Sequence, residues 1–160
     1  MQLQNPARAP RGFTLIELMI VVVIATILLS IAVPSYMNQV RQSRRTEAKT
    51  AVLDLASREE RYFSTNGAIY SIVTTDLGYP PGAFPANVGP DNYYQITVCS
   101  PAANCDPNAN PPPAPSYYIT ATPVAGTSQA ADAQCTSFSV DSTGQQFATG
   151  TLPPAQCWAQ

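Results

Sequence analysis

The 160-residue chain contains no histidine, and only 11% of its residues are charged. Without histidine, Ser-His-Asp and Cys-His nucleophilic triads are excluded, as are zinc sites built from cysteine and histidine. The chain also has no Lys or Arg after Arg61, so residues 62–160 carry acidic side chains alone. Because contacts to DNA phosphates need Lys or Arg, nucleic-acid binding through the C-terminal part of the chain is not expected.

The acidic residues of that C-terminal part are also too scattered for catalysis. They are five aspartates that lie in turns and form no paired motif: Asp76, Asp91, Asp106, Asp132 and Asp141. General acid–base chemistry needs titratable groups placed side by side. The sequence therefore predicts no catalytic residue, no cofactor and no metal site, and a membrane-anchored enzyme that uses carboxylates is not expected.

Four cysteines lie in the C-terminal half, and the sequence lacks the C-x-x-C spacing typical of cytosolic redox pairs. Their proline-rich surroundings favour disulfides and an extracytoplasmic compartment over buried free thiols. Four cysteines allow three pairings. Closeness in sequence favours Cys99–Cys105, which closes a short loop, and Cys135–Cys157, which ties the end of the chain to the predicted sheet.

A largely apolar run from Phe13 to Val33 follows a polar, basic start. As a helix, these residues extend about 30 Å, which matches the hydrocarbon core of a bilayer. A secretory signal would end in a small-residue cleavage site, and Ile31-Ala32-Val33-Pro34 offers little of that kind. The run is therefore predicted to be a retained membrane-spanning helix.

Glu17 stands inside this apolar run, where a lone carboxylate costs a few kcal/mol unless it is paired or neutralised. One interpretation is that Glu17 lies near the interface and reaches water. The other needs a cation, and the sequence offers none between Phe13 and Arg41. A cut between Gly12 and Phe13 would create a positive α-amine four residues before Glu17, which makes that amine the predicted partner.

The segment Arg11-Gly12-Phe13-Thr14-Leu15-Ile16-Glu17 resembles the leader junction of type IV pilins and related pseudopilins. The resemblance extends through the apolar run to Pro34. It implies that a prepilin peptidase removes residues 1–12 as a leader and that the amine of Phe13 is then methylated. It further implies that Glu17 pairs with the Phe13 amine of its own or a neighbouring subunit, so that Phe13, Glu17 and Pro34 belong to the assembly region.

The resemblance implies a structural subunit of a type IV pilus, with a minor pilin favoured, that serves adhesion, twitching motility or DNA uptake. Such a subunit is stored in the inner membrane as a single-pass protein with a periplasmic C-terminal domain, and becomes extracellular in the pilus. Its partners are other pilins, major and minor, the prepilin peptidase and the inner-membrane assembly platform. One alternative is a pseudopilin of a type II secretion system, although a C-terminal loop closed by Cys135–Cys157 resembles pilins more.

Another alternative is a membrane-anchored periplasmic binding domain that never polymerises, which leaves Gly12, Phe13 and Glu17 unexplained.

Residues 13–35 are assigned to the transmembrane half of the helix. Residues 36–63 are assigned to an amphipathic half, in which apolar residues recur at helical spacing. Pro34 is expected to kink the helix; two separate helices that meet there are the alternative. The basic group Arg41, Arg44, Arg45 and Lys49 is interpreted as a solvated face of the helix or, in a filament, as a surface between subunits, and DNA binding through it is not expected. Glu59 is likewise predicted on a solvated face.

Residues 64–91 are predicted to be a connecting loop, and positions 61–79 resemble the connection of PilE-like minor pilins. Residues 92–160 carry strand signals at 93–98, 117–122 and 136–140, with a fourth strand after the turn at Asp141–Gly144. The prolines at 111–115 predict a stiff surface loop.

Together, the predicted helix and strands give the fold class α+β: a long N-terminal helix on a three- or four-stranded antiparallel sheet. The predicted core comprises Tyr62, Phe63, Ile96, Val98, Ile119, Phe138 and Val140.

Overall fold

The computed structural model describes residues 12–102 and 112–159. The chain divides into two compact units, one ending at Gln39 and the other beginning at Val40. Three predictions fall wholly or partly outside the described residues: the leader 1–12 apart from Gly12, the pairing of Cys99 with Cys105, and the start of the proline run at 111–115.

Helix α1 (Leu15–Thr65) includes Pro34 in its interior. The predicted alternative of two separate helices that meet at Pro34 is therefore wrong, and a kink there stays a prediction. The helix begins after Thr14, whose hydroxyl accepts a hydrogen bond from the Glu17 N–H at 3.3 Å. This is the bond of an N-cap residue, which satisfies one of the amide groups left free at the start of a helix.

Helix α1 ends at Thr65, two residues beyond the predicted end at position 63, and is followed by Asn66 and Gly67. Gly67 has φ +72°, which is the left-handed conformation that favours glycine. This turn lets the Ala68 N–H donate to the Phe63 carbonyl at 3.1 Å. The bond satisfies one of the last free carbonyls of the helix and directs the chain into the loop that follows.

Five antiparallel strands form one sheet in the order β1-β2-β3-β4-β5. They are β1 (Ala86–Val88), β2 (Tyr94–Cys99), β3 (Tyr118–Pro123), β4 (Ser137–Asp141) and β5 (Gln146–Thr149). Strands β2 to β5 confirm the predicted strands, and β1 is a further strand inside the predicted loop 64–91. Because every strand pairs with the next along the chain, the sheet is a simple meander with β1 and β5 at its two edges.

The core lies between one face of α1 and one face of the sheet. Ala48, Val52 and Leu55 of the helix are completely buried with the sheet residues Ile96 and Ile119. The five predicted core residues of the sheet are buried, whereas the predicted Tyr62 and Phe63 are only half-buried. Burying this apolar surface is the main favourable contribution to the stability of the second unit.

The C-terminal end is tied to the sheet by a disulfide between Cys135 and Cys157. Cys157 belongs to the short helix α2 (Pro154–Ala159). Next to it, Trp158 packs edge-on against Phe138 with ring centroids 5.7 Å apart, and its indole N–H donates to the Phe147 carbonyl at 2.9 Å. Cys99 is also disulfide-bonded, and its pairing with Cys105 stays a prediction.

Candidate functional site

The predicted processing junction lies at the exposed start of the described chain. Gly12 and Glu17 are exposed, and the side chain of Phe13 is 85% exposed. Thr14 and Glu17 are spaced as in a capping box, in which a Thr N-cap is followed three residues later by Glu. A carboxylate in the first turn also interacts favourably with the helix dipole. The negative charge of Glu17 therefore stabilises the start of the helix. The sequence prediction missed this role, although the Thr-x-x-Glu spacing is typical of a helix start.

The carboxylate of Glu17 makes no hydrogen bond or ion pair to any residue that the structure describes, whereas its backbone N–H is bonded to Thr14. The predicted partner, an amine created at Phe13, needs the cut that removes residues 1–12. Within one subunit the carboxylate is thus available to a group from outside the chain.

The first half of α1 exposes an apolar surface that needs covering. Every large apolar side chain from Phe13 to Val33 is more than half exposed. This helix is also long and apolar enough to cross a membrane. A continuous exposed apolar surface of this kind is typical of lipid contact or of contact with other protein.

The predicted basic group does not form a solvated face, and that expectation is wrong for Arg45 and Lys49. Arg45 is 3% exposed and donates two hydrogen bonds to Asp132, at 2.7 and 2.8 Å. A third bond, at 2.9 Å, runs from Arg45 to the Gln134 side chain. Burial by itself raises the pKa of Asp132, but the hydrogen bonds and charge of Arg45 outweigh it and hold that pKa below its usual value. The pair fixes α1 to the segment between β3 and β4.

Three other cations of α1 are also engaged within the subunit. Arg44 lies 3.6 Å over the Tyr93 ring and donates to Ser128. Lys49 is 8% exposed, and its ammonium donates to the Trp158 carbonyl at 3.4 Å. Arg58 donates to Asp54 and to the carbonyls of Leu77 and Gly78.

Arg61 is the one Lys or Arg that is exposed within residues 12–102 and 112–159. A groove of about 670 Å³ lies between residues 43–54 of α1 and strand β1, and its lining includes Glu47 and Asp54 but no Lys or Arg. A second groove, of about 430 Å³, is lined by Arg58 and Arg61 of α1 and by Asp76 of the loop that follows. Among the described residues, the cations that could contact phosphate groups are thus confined to α1.

Glu59 is a further polar residue that the sequence prediction placed incorrectly. Predicted on a solvated face, it is completely buried, with one carboxylate oxygen bonded to the Ser71 N–H. No group of three His, Cys, Asp or Glu residues in the described part of the chain is placed to hold a metal ion.

Comparison with known proteins gives two family matches. A model described as "Type IV minor pilin ComP, DNA uptake sequence receptor" matches residues 34–139. A model of the prokaryotic N-terminal methylation motif matches residues 7–33. The second match covers the junction and the apolar run, and the first covers most of the described second unit.

Individual relatives come from both pili and secretion systems. The chain is 36% identical over 96 residues to the type IV major pilin protein PilA of Myxococcus xanthus, a match that covers 60% of this chain and 40% of that protein. It is 35% identical over 104 residues to the type II secretion system core protein G of Pseudomonas aeruginosa, covering 61% of this chain and 71% of the relative. It is 41% identical over 69 residues to the type IV major fimbrial protein FimA of Dichelobacter nodosus, a match that covers 36% of this chain and 44% of that protein. The chain thus spans less than half the length of two of these relatives.

Proposed function

Because the chain belongs to the type IV minor pilin family, whose model covers residues 34–139, we propose that it is a structural subunit of a type IV pilus, and a minor one. Residues 13–35 anchor the precursor in the inner membrane, with the second unit in the periplasm, and later hold the subunit in the filament. Its partners are the prepilin peptidase, the inner-membrane assembly platform, and other major and minor pilins. Before assembly the protein lies in the membrane, and afterwards it is extracellular.

The observation that carries this proposal is the apolar surface from Phe13 to Val33, more than half exposed along its whole length, directly after the Gly12–Phe13 junction. Lipid covers such a surface in the precursor, and helices of neighbouring subunits cover it in a filament. The methylation motif at residues 7–33 supports processing at this junction.

The proposal is tested by shearing filaments from cells and analysing them by mass spectrometry. We expect the chain among the filament proteins, at lower abundance than the major pilin, with methylated Phe13 as its N-terminus. A chain that stays in the inner membrane while the major pilin is recovered from the sheared fraction would contradict the proposal and favour the binding domain that never polymerises.

The pseudopilin alternative is supported by the similarity to the type II secretion core protein. The C-terminal loop closed by Cys135–Cys157 supports the pilin, because the resemblance associates that loop with pilins. Deleting the gene separates the two: loss of pilus-dependent behaviour with normal secretion supports the pilin, and the reverse result supports the pseudopilin.

DNA binding is a second candidate function, since the matching family is described as a DNA uptake sequence receptor. The charge distribution argues against a contact through the sheet, because residues 62–160 have no Lys or Arg. Arg44, Arg45, Lys49 and Arg58 are engaged inside the subunit and Arg41 is half-buried, which leaves Arg61 as the one exposed cation of the described residues. We therefore propose that this subunit serves assembly rather than direct DNA recognition.

An electrophoretic mobility assay with duplex DNA at low and at physiological salt tests this point. Affinity through phosphate contacts rises steeply as salt is lowered, so the expected result is little binding under both conditions. Tight binding that weakens with salt and is lost in Arg61→Gln would instead establish the DNA-receptor function and place Arg61 in the contact.

A further inference from the structure

Glu59 is a buried carboxyl that the assembly function does not use. Its side chain is completely buried on α1. One oxygen accepts a hydrogen bond from the Ser71 N–H at 3.0 Å, and the other, Oε1, has no partner in the described structure. A buried carboxylate with a single hydrogen bond is costly, whereas the neutral acid is not.

The bond from Ser71 connects Glu59 to the segment that follows α1, here named the latch segment (residues 67–82). Within this segment, the Ser71 hydroxyl donates to Asp76 at 2.8 Å and accepts from the Val73 N–H at 3.0 Å. The Thr74 hydroxyl donates to the Gly82 carbonyl at 2.9 Å. Ser71 thus joins the internal hydrogen bonds of the latch segment to the single buried acceptor on the helix.

The charged groups that act on Glu59 are acids. Glu60 is its neighbour on α1, and Asp76 belongs to the latch segment. The nearby cation Arg58 is bonded to Asp54 and to carbonyls of the latch segment. The other titratable groups that interact with Glu59 are three tyrosines, Tyr62 on the helix, Tyr70 in the latch segment and Tyr117 before β3, and each has a pKa above its usual value.

The pKa of Glu59 is raised to about 7, chiefly by burial and in smaller part by the charges of Glu60 and Asp76, while the hydrogen bond from the Ser71 N–H acts in the opposite direction. The docked latch segment therefore favours protonated Glu59 at pH values where a solvated glutamate is ionised.

We propose that Glu59 and Ser71 form a proton-controlled latch, which holds the latch segment against α1 in acid and loosens it above neutral pH. The latch segment exposes Ile69, Ile72 and Val73, with between 47% and 59% of each side chain accessible. If the proposed pilin function holds, the latch makes presentation of this apolar surface to neighbouring subunits depend on external pH.

The direction of the effect follows from linkage. Because the pKa of Glu59 is higher when the latch segment is docked, docking is fully stabilised below about pH 4.5 and loses that stability as the pH rises through about 7. Between pH 5.5 and pH 8.5 the equilibrium for opening is expected to rise roughly thirty-fold, if the opened segment returns Glu59 to its ordinary pKa.

Hydrogen exchange followed by mass spectrometry tests the latch on the full chain in detergent micelles. Exchange of peptides covering residues 67–82 is measured at pH 5.5 and 8.5 and corrected for intrinsic exchange rates. We expect protection to fall by ten- to thirty-fold at the higher pH in the wild type. In Glu59→Gln, which cannot ionise, it should stay constant between the two pH values. Glu47→Gln is the matched control, because Glu47 is a half-buried glutamate on the same helix that does not contribute to the pKa of Glu59, and it should keep the full pH dependence.

A second variant tests the latch without altering the buried group. Asp76→Asn removes one of the two charges that raise the pKa of Glu59, so the midpoint of the loss of protection should move to lower pH. Equal corrected protection at both pH values in the wild type would overturn the proposal, as would a pH dependence that survives in Glu59→Gln or a midpoint that Asp76→Asn leaves unmoved. Because micelles contain the unassembled chain, the result does not depend on whether the protein enters a filament.

Discussion

Glu17 acts through two different groups. Its backbone N–H donates to the N-cap residue Thr14 at the start of α1, and its carboxylate is proposed to pair with the Phe13 amine of a neighbouring subunit. The first role is kept by any residue at position 17 that has a backbone N–H. The second needs a negative charge, which alanine and glutamine both lack.

The variants Glu17→Ala and Glu17→Gln keep the backbone bond to Thr14 and remove the charge. Both should reach the membrane normally. If charge neutralisation drives docking, both should be depleted from sheared filaments by tenfold or more, because a desolvated amine without a partner costs several kcal/mol. The measurement is the amount of each variant relative to the major pilin in purified filaments. Normal incorporation of Glu17→Gln with loss of Glu17→Ala would show that a polar side chain at this position is required but its charge is not.

The buried pair Arg45–Asp132 gives a second prediction for single residues. Arg45→Met should lower the free energy of unfolding by about 3–5 kcal/mol, because it leaves the carboxylate of Asp132 buried without its counter-ion. Adding Asp132→Asn removes that charge and should restore a large part of the loss. Urea unfolding in micelles, followed by circular dichroism, measures both changes.

Asp54→Asn is the matched control for this pair. Asp54 also accepts a hydrogen bond from an arginine at 2.7 Å, but both side chains are partly exposed, at 30% and 46%. Exposed pairs contribute about 1 kcal/mol or less, so this variant should unfold nearly as the wild type does. If Asp54→Asn lowered the free energy of unfolding as much as Arg45→Met does, burial would not be the reason why the two ion pairs differ.

Among the elements, the C-terminal disulfide is the one that closes the fold. Cys135 and Cys157 are 22 positions apart, and restricting the unfolded chain over such a loop contributes about 3 kcal/mol. Cys135→Ala/Cys157→Ala should therefore unfold at markedly lower urea and lower the amount of folded subunit in the membrane. Non-reducing peptide mapping of the wild type should recover the Cys135–Cys157 peptide, and a crossed pairing with Cys99 or Cys105 would contradict the assignment.

The elements that the sequence predicted well are those with a strong local pattern. The apolar run predicted α1, and alternating residues predicted β2 to β5 within one or two positions. Strand β1 escaped prediction because Ala86–Val88 is too short for alternation to be visible and lies between Pro85 and Gly89. Its pairing with β2 is what defines it.

The buried polar residues of α1 were beyond sequence reasoning for a different reason. The partners of Arg45 and Lys49 are 87 and 109 positions away in the chain, at Asp132 and Trp158. Glu59 is bonded to Ser71, in a loop without a regular pattern. Helical periodicity places charged residues outside by default, and only tertiary contacts show which of them are satisfied within the fold.

At the scale of the whole molecule, the proposed removal of residues 1–12 determines whether the subunit stays in the inner membrane or enters a filament. Gly12→Val puts a branched side chain at the proposed cut, so the precursor should remain in the inner membrane with residues 1–12 attached and be absent from filaments. Intact-mass measurement of membrane and sheared fractions checks this. Gly82→Ala is a suitable control, because Gly82 lies outside the junction, does not adopt the left-handed conformation and has room for a methyl group. An uncut Gly12→Val protein found inside filaments would contradict the maturation scheme.

The placement of Trp158 has a practical consequence. It is the single tryptophan of the chain, it adjoins Cys157 in sequence, and its ring is fixed against Phe138. Since disulfides quench indole emission, the native protein should fluoresce weakly. Reducing the Cys135–Cys157 bond or opening the C-terminal helix should brighten the emission and shift it to longer wavelength. The chain therefore contains an intrinsic optical reporter of its C-terminal closure, and no external dye is needed to follow that closure in the purified protein in micelles.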